Sequence, residues 1–453
     1  MCIPDPSSFR DPAGFGIREG GQWKRVVTRH GDSDYDALMR SGLYDSLVRD
    51  RLLVAHREED TSRRNIPGTR LLVPTQLDFI SQPYEWCFSQ LKDAALLTLQ
   101  IQQRALAHGL SLKDASAFNV QFSEGRPVFI DTLSFERAAD RPWIAYEQYC
   151  RHFLAPLLLM QSKSPMMAKM LGVNLDGIPL DVASRMLGLS SYFNLGTLLH
   201  IHLHARAQKH GSRGSSAGVS GSSAQLRIVE SLRAVTENIR LSGGHSEWSD
   251  YPAHMEHYGH LAVTFKLSFV RRLLERSTPG LVYDLGGNTG TYSRLAVEHC
   301  NRCVLYEADP LCVEEVYTKE KARGSGSILP LVMDITNPTP AVGLNLTERR
   351  GVFDRPKGAL VLALALVHHL RLTHNIPFRL IAETLARFGR TLIVEYVEPD
   401  DPMANQLLPR ERPIPDDYSL DAFLAAFAPY FRLLEQASIP GMRRRLMVFE
   451  CLH

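Results

Sequence analysis

The sequence predicts a doubly wound α/β domain over residues 225–453, with a seven-stranded, mostly parallel sheet closed by a C-terminal antiparallel hairpin. An α+β domain over residues 1–209 precedes it. Three observations carry this reading. Apolar strand-like runs alternate with amphipathic helical stretches from about Ser246 onward. A glycine-rich turn directly follows the first of those strands. A Gly/Ser run separates the two halves, ten of the thirteen residues from Gly211 to Ser223 being Gly or Ser. Such a run cannot bury enough apolar surface to offset its ordering entropy, so residues 210–224 read as a flexible linker.

The C-terminal elements follow in order. Tyr258, Leu261, Phe265, Phe269 and Leu273 recur at three and four residues, the spacing of an amphipathic helix. Pro279-Gly280 ends it, and Leu281–Asp284 reads as a short buried strand. After the glycine turn, Tyr292, Leu295 and Ala296 mark a helix. Val304–Glu307, Ile328–Asp334, Ala359–Val367 and Thr391–Glu395 are further apolar strands. Continuous apolar strands separated by helices imply a parallel sheet covered on both faces. Phe431–Glu435 and Arg445–Cys451, joined through Ser438–Gly441, read as the closing hairpin.

Composition narrows the function classes. Fifty-one Lys and Arg against 49 Asp and Glu leave a formal net charge of +2, which gives no reason to expect nucleic acid as a partner. The longest purely apolar run, Ala359–Val367, is far too short to span a bilayer, and Met1–Pro6 opens no secretory signal. Seven scattered cysteines suit a reducing compartment, so a cytoplasmic location is expected. Cys300 and Cys303 form an isolated Cys-x-x-Cys with no second ligand pair. Cys303 is expected to open a buried strand, and no metal site is expected.

The chemistry concentrates in Asp284-Leu285-Gly286-Gly287-Asn288-Thr289-Gly290. An acidic residue closing a strand, then glycines opening a helix, lets backbone approach a ligand where side chains would collide. The segment resembles the glycine motif of class I methyltransferases, with Asn288 at the middle glycine. Asn tolerates left-handed backbone better than most residues. Glu307 ends the next strand and can accept ribose hydroxyls. Asp334 ends the third, where the resemblance implies an adenine contact. Asp309 either faces the adenosine or caps the helix beginning at Pro310. The cofactor implied is S-adenosyl-L-methionine. An NAD site would prefer Gly-x-Gly-x-x-Gly, and nothing here has that spacing.

After the fourth strand come His368 and His369, candidate bases for an acceptor that must lose a proton. If the segment is extended, the two side chains face opposite ways and one of them serves. Glu395 and the loop Glu398–Asp401 are candidates for acceptor contact.

In the N-terminal half, Asp114 and Asn119 stand five apart and Asp131 follows a strand, after a helix expected over Leu91–His108. This resembles the base and magnesium-holding residues of kinase-type phosphotransferases. Leu112-Lys113 stands where those enzymes carry His-Arg or His-Gly, and Gly14–Gly21 is only a weak glycine loop. Two readings stay open: a phosphotransferase using ATP and magnesium at Asp114, Asn119 and Asp131, or a degenerate kinase-like lobe that binds nucleotide, substrate or partner. His200, His202 and His204 are expected on a helix surface.

Over nearly its full length the chain resembles the nodulation-protein type of bacterial methyltransferase, through Ser81–Leu97, Ser111–Asn119, Val128–Glu136, Leu364–Leu370 and Asn375–Pro377. The resemblance implies O- or N-methylation of a small molecule or glycan. It names neither the acceptor nor the oligomeric state.

Overall fold

All seven strands expected between Leu281 and Cys451 are present in the computed structural model, which describes residues 3–60, 68–209, 221–241, 260–402, 404, 407 and 414–452. The chain divides into two units. Unit 1 comprises Met1–Gly243 with Ala341–Arg350, and unit 2 Gly244–Pro340 with Gly351–His453.

Unit 1 begins with a four-stranded antiparallel sheet, β1 (Gly14–Glu19), β2 (Gln22–Val27), β3 (His56–Glu59) and β4 (Arg70–Pro74), in the order β1-β2-β4-β3. The supposed glycine loop is therefore a hairpin. Gly14 is needed for close approach, since a Cβ there would lie 2.3 Å from the Val26 carbonyl oxygen. The helix expected over Leu91–His108 runs Phe88–Ala107, 20 residues, with His108 as its C-cap. Two small antiparallel pairs come next: β5 (Leu110–Leu112) with β8 (Phe135–Arg137), and β6 (Val120–Ser123) with β7 (Arg126–Phe129).

The domain boundary expected at residue 225 is corrected. Helix Ser222–Asn238 belongs to unit 1, where it packs on Phe88–Ala107. Lys92 Nζ donates to the Glu237 and Ile239 carbonyls at 2.9 and 2.7 Å, and Gln225 Nε2 donates to the Arg141 carbonyl at 2.7 Å. Gly221–Ala224, expected as linker, lead into and begin this helix, because Ser is a poor but tolerated residue in a first turn. The rest of that linker, residues 210–220, lies outside the described residues. Ala341–Arg350 also joins unit 1. There Glu348 takes the Arg10 guanidinium at 2.6 Å, and Arg349 donates to the Ser7 carbonyl at 3.1 Å while lying over the Phe118 ring.

Unit 2 holds β9 (Leu281–Leu285), β10 (Arg302–Glu307), β11 (Ile328–Val332), β12 (Gly358–Ala363), β13 (Gly389–Val397), β14 (Phe431–Ser438) and β15 (Arg444–Cys451). Their order is β11-β10-β9-β12-β13-β15-β14. The first five are parallel, and β15 runs antiparallel to β13 and to β14. The order reverses direction between β9 and β12. At such a switch point the following loops diverge and leave a crevice outside the strand ends. Cys303 is fully buried at the start of β10, as expected.

Two expectations for this unit change. The helix before β9 runs His260–Ser277 and buries Ala262, Lys266, Phe269, Val270 and Leu274, whereas Leu261 is exposed. Of the expected stripe, Phe269 is buried and Phe265 and Leu273 pack against the same core, but the face also takes in Lys266, which apolar periodicity leaves out; Tyr258 lies outside the described residues. The strand expected through Val367 stops at Ala363. The residues after it turn, with Ala365 in left-handed backbone, and stay apolar because they pack inward rather than because they pair.

Candidate active site

The carboxyl ends of β9, β10, β11 and β12, with the loops after them, carry the cofactor and histidine candidates, whereas Glu395 lies in β13 and Glu398–Asp401 follow it. The β9 loop makes a tight turn with left-handed backbone at Gly286, Asn288 and Gly290, φ +69°, +47° and +80°. Asn288 thus replaces a glycine in a conformation Asn can adopt. Gly287 serves close packing instead. A Cβ there would lie 2.7 Å from Leu305 Cγ and 2.9 Å from Asp284 Oδ2. The Gly286 amide donates to the Tyr306 carbonyl at 2.8 Å, so the turn is tied to β10.

Asp284 is 3% exposed, and its Oδ2 accepts from the Ser293 hydroxyl at 2.6 Å. Burial, only partly offset by that hydroxyl, pushes its carboxyl up to about 6, and the nearby Glu307 charge adds to the rise. The residue braces the turn from beneath. Glu307 lies above, partly buried. Its Oε2 accepts from the Asn288 amide at 2.9 Å and its Oε1 from the Asp309 amide at 3.0 Å. Burial raises its carboxyl above the ordinary range, against the pull of those amides. Each carboxylate oxygen has about two lone-pair sites, so one bond to each leaves capacity for further donors.

Asp309 is the helix cap. Its Oδ1 accepts from the Leu311 amide at 2.8 Å, at the start of Pro310–Arg323. Its part in the site runs through its backbone amide on Glu307. Asp334 lies two residues beyond the end of β11 rather than at it. Its Oδ1 accepts from the Thr336 amide and hydroxyl at 2.8 and 2.7 Å, which fixes the carboxylate in the β11 loop.

His368 and His369 are not on an extended segment. His368 has helical backbone and His369 opens a π-helical turn, His369–Thr373, so their rings lie together, centroids 4.3 Å apart, instead of on opposite faces. Successive side chains on helical backbone are about 100° apart rather than on opposite faces, so the two rings can meet. Burial, then Arg444 and His374, lowers His369 to about 4. Burial and the neighbouring His369, Arg444 and Lys266 hold His368 well below the ordinary imidazole value. Both rings are therefore neutral at pH 7. His368 Nδ1 is buried with no hydrogen-bond partner among the described residues.

Sequence reasoning named Glu395 and Asp401 but missed the two cations that hold them, Lys266 and Arg444. Lys266 Nζ lies 2.5 Å from Glu395 Oε2, Arg444 Nη1 lies 3.1 Å from Glu395 Oε1, and Arg444 Nε lies 2.9 Å from Asp401 Oδ2, all four side chains being buried. Burial alone would raise Glu395, but Lys266 and Arg444 more than offset it and lower the carboxyl. Glu395 and Asp401 are thus bound internally and not offered to an acceptor. The other loop carboxylates are paired too, Glu398 with Arg445 at 2.7 Å and Asp400 with Arg443 at 3.2 Å. A buried lysine breaking an apolar helical stripe was the available signal, and it points to a buried counter-charge.

In unit 1, Asp114, Asn119 and Asp131 do come together. Asp114 Oδ1 accepts from the Ser116 amide at 2.9 Å, and the Asn119 amide donates to Ser134 Oγ at 3.2 Å. Ser134 Oγ donates in turn to Asp131 Oδ2 at 2.7 Å. Burial raises the Asp114 carboxyl, with Asp131 adding to the rise and Asn119 opposing it. A cation already stands here: the Arg25 guanidinium pairs with Asp11 and lies 3.4 Å from Asp131. Asp131 caps the turn Thr132–Ser134 rather than ending β7. Among the described residues no three His, Cys, Asp or Glu side chains converge as metal ligands.

The chain is 30% identical over 456 residues to nodulation protein NoeA of Rhizobium meliloti (strain 1021), an alignment covering 98% of this chain and 95% of that one. It belongs to the NoeA family. No family model matches the chain. Among solved structures, N-methyltransferase NodS from Bradyrhizobium japonicum WM9 aligns with 43% of this NoeA-family chain and 99% of its own, at 11% identity and a TM-score of 0.32. Magnesium protoporphyrin IX methyltransferase from Synechocystis PCC 6803, with bound SAM, aligns with 46% of this chain and 86% of its own, at 14% identity and a TM-score of 0.30.

Proposed function

We propose that unit 2 is an enzyme that binds S-adenosyl-L-methionine and transfers its methyl group to oxygen or nitrogen of a small-molecule or glycan acceptor. One observation carries the reading: the Glu307 carboxylate, seated by the Asn288 and Asp309 amides, stands over a glycine turn at the switch point of the sheet. The residues fit the cofactor. Glu307 would accept from the ribose hydroxyls, and Asp334 would meet the adenine edge. The Gly286–Gly290 backbone, whose three glycines carry no side chain, would face the rest of the molecule. Asp284 and Asp309 serve by bracing the turn and seating Glu307. The bound cofactor supplies an electrophilic methyl on a sulfonium.

The remaining work falls to the histidines. An imidazole held neutral accepts a hydrogen bond from a hydroxyl or amine and can take its proton as the acceptor reacts. The Lys266–Glu395–Arg444–Asp401 set carries two charges of each sign. Burial holds the histidines neutral, Arg444 adds to this for both and Lys266 for His368, while the paired set leaves no net charge of its own.

Unit 1 is, on our reading, a kinase-like lobe that binds without transferring phosphate. Arg25 supports this, because its guanidinium sits where a magnesium ion would have to meet Asp131. Thermal shift tests both units at once. S-adenosylhomocysteine should raise the melting temperature, and ATP with magnesium should neither raise it nor be consumed. No shift with S-adenosylhomocysteine would sink the first reading. Magnesium-dependent ATP turnover lost in Asp131→Asn would sink the second.

A further inference from the structure

Nineteen large apolar side chains are exposed among the described residues, and six of them crowd into Val182–Leu203 of unit 1. Leu195, Leu199 and Leu203 recur every four residues along the continuous helical stretch Leu195–Lys209, so they form one stripe. Phe193 and Leu189, 91% and 83% exposed, extend it from the preceding turn. Isolated exposed leucines need no explanation, but a contiguous apolar patch does.

This exposure is built into the fold. The opposite side of the same helix is anchored through Thr197, His200, Ile201 and Ala205, all buried. A Cβ at Gly196 would lie 2.2 Å from Val235, so the helix presses directly on Ser222–Asn238. His200 joins the Tyr146 hydroxyl at 2.8 Å and Ser231 at 2.9 Å, while His202 joins Ser184 at 2.7 Å and Ser191 at 2.9 Å. Of the three histidines expected on a helix surface, His200 and His202 are interior, because a π-helical turn over Leu198–Leu203 brings them to these hydroxyls, and His204 is partly buried. Burial lowers His200 to about 4, so it stays neutral and apolar enough to remain inside. Turning the leucines inward would break all of these bonds.

Charge decides what the patch meets. Along the chain no Asp or Glu stands between Asp181 and Glu230, whereas among the described side chains Arg185, Arg206 and Arg227 do; across the fold, Glu147 faces His204 at 3.8 Å. Arg206 is exposed, one turn beyond Leu203, and Arg185 shares Asp181 at 3.6 Å. A second copy in a two-fold pairing would set this basic stretch against itself. Anionic headgroups complement it, while leucines and a phenylalanine enter the acyl boundary. No helix among the described residues is long and apolar enough to cross a membrane, so the contact would be peripheral.

We propose that the Leu189–Arg206 face of unit 1 docks the protein on an anionic lipid surface. The test is co-sedimentation of the full chain with phosphatidylcholine vesicles, with and without phosphatidylglycerol. The anionic vesicles should bind it, less so at high salt. The double variant L195Q/L199Q should bind about tenfold more weakly or worse, with an unchanged melting temperature, since neither side chain is buried in the protein. Arg206→Glu should weaken binding to the anionic vesicles alone. Failure of the parent protein to bind, or undiminished binding by the double variant, overturns the proposal. A concentration-dependent dimer that the double variant converts to monomer, without vesicle binding, would assign the face to a second copy and overturn it too.

Discussion

Replacing Glu307 with alanine tests the cofactor assignment most directly. In the structure each carboxylate oxygen already accepts one backbone amide, from Asn288 at 2.9 Å and from Asp309 at 3.0 Å. Hydrogen bonds to a charged group contribute about 1.5–3 kcal/mol each. Two ribose contacts would therefore total about 3–6 kcal/mol before water enters the emptied space and restores part of that. A net loss of about 1.5–3 kcal/mol in binding corresponds to roughly ten- to hundredfold in Kd. Titration calorimetry with S-adenosylhomocysteine reads this, with circular dichroism confirming the fold. The two orphaned amides should also lower the stability of the ligand-free variant by about 1–3 kcal/mol. Glu307→Gln should fall between, because its amide oxygen still accepts while its nitrogen does not. Acidity supplies an independent check. Burial raises the Glu307 carboxyl, so cofactor affinity should decline on acidification from above the usual glutamate range, and the Gln variant should not show that decline. Unchanged affinity in a folded Glu307→Ala protein would refute the reasoning.

Two further outcomes follow from the same loops. Asp284 has a folded-state pKa of about 6 against an ordinary 3.8, so the folded chain holds this proton more tightly than the unfolded one. Its contribution is fully present below about pH 4 and is lost as pH rises through about 6, a difference of about 3 kcal/mol for two units. Asp284→Asn, which can still accept from Ser293, should therefore lose less stability than the parent between pH 4 and pH 7 in urea titrations; parallel losses would show that the carboxyl is not desolvated. His369→Gln should leave S-adenosylhomocysteine affinity intact and slow turnover by about 10²–10⁴-fold once an acceptor is in hand. With His369 lowered to about 4, the parent rate should show no histidine step between pH 5 and 8. A step near 6.5 would mean that the ring is solvated in the working enzyme.

The sequence by itself determined the sheet of unit 2 and most of the loops proposed to hold the cofactor. Apolar runs broken by glycine and proline have a period that reports secondary structure directly, and Asp284, Gly286–Gly290 and Glu307 fall at strand ends because the parallel arrangement puts them there. Left-handed Asn288 was legible for the same local reason, since it is a property of one residue's backbone. What only the tertiary structure decided depends on partners distant in the chain. Lys266 reads as a flaw in an amphipathic helix until Glu395, 129 residues on, arrives to neutralise it. The apolar run through Val367 cannot tell pairing from burial, so the end of β12 and the joint placement of His368 and His369 were out of reach. Arg25 beside Asp131, and helix Ser222–Asn238 folded back onto Phe88–Ala107, likewise follow from contacts across more than a hundred residues. Local periodicity and backbone preference are written residue by residue, whereas the charge a side chain meets is set only when the chain closes.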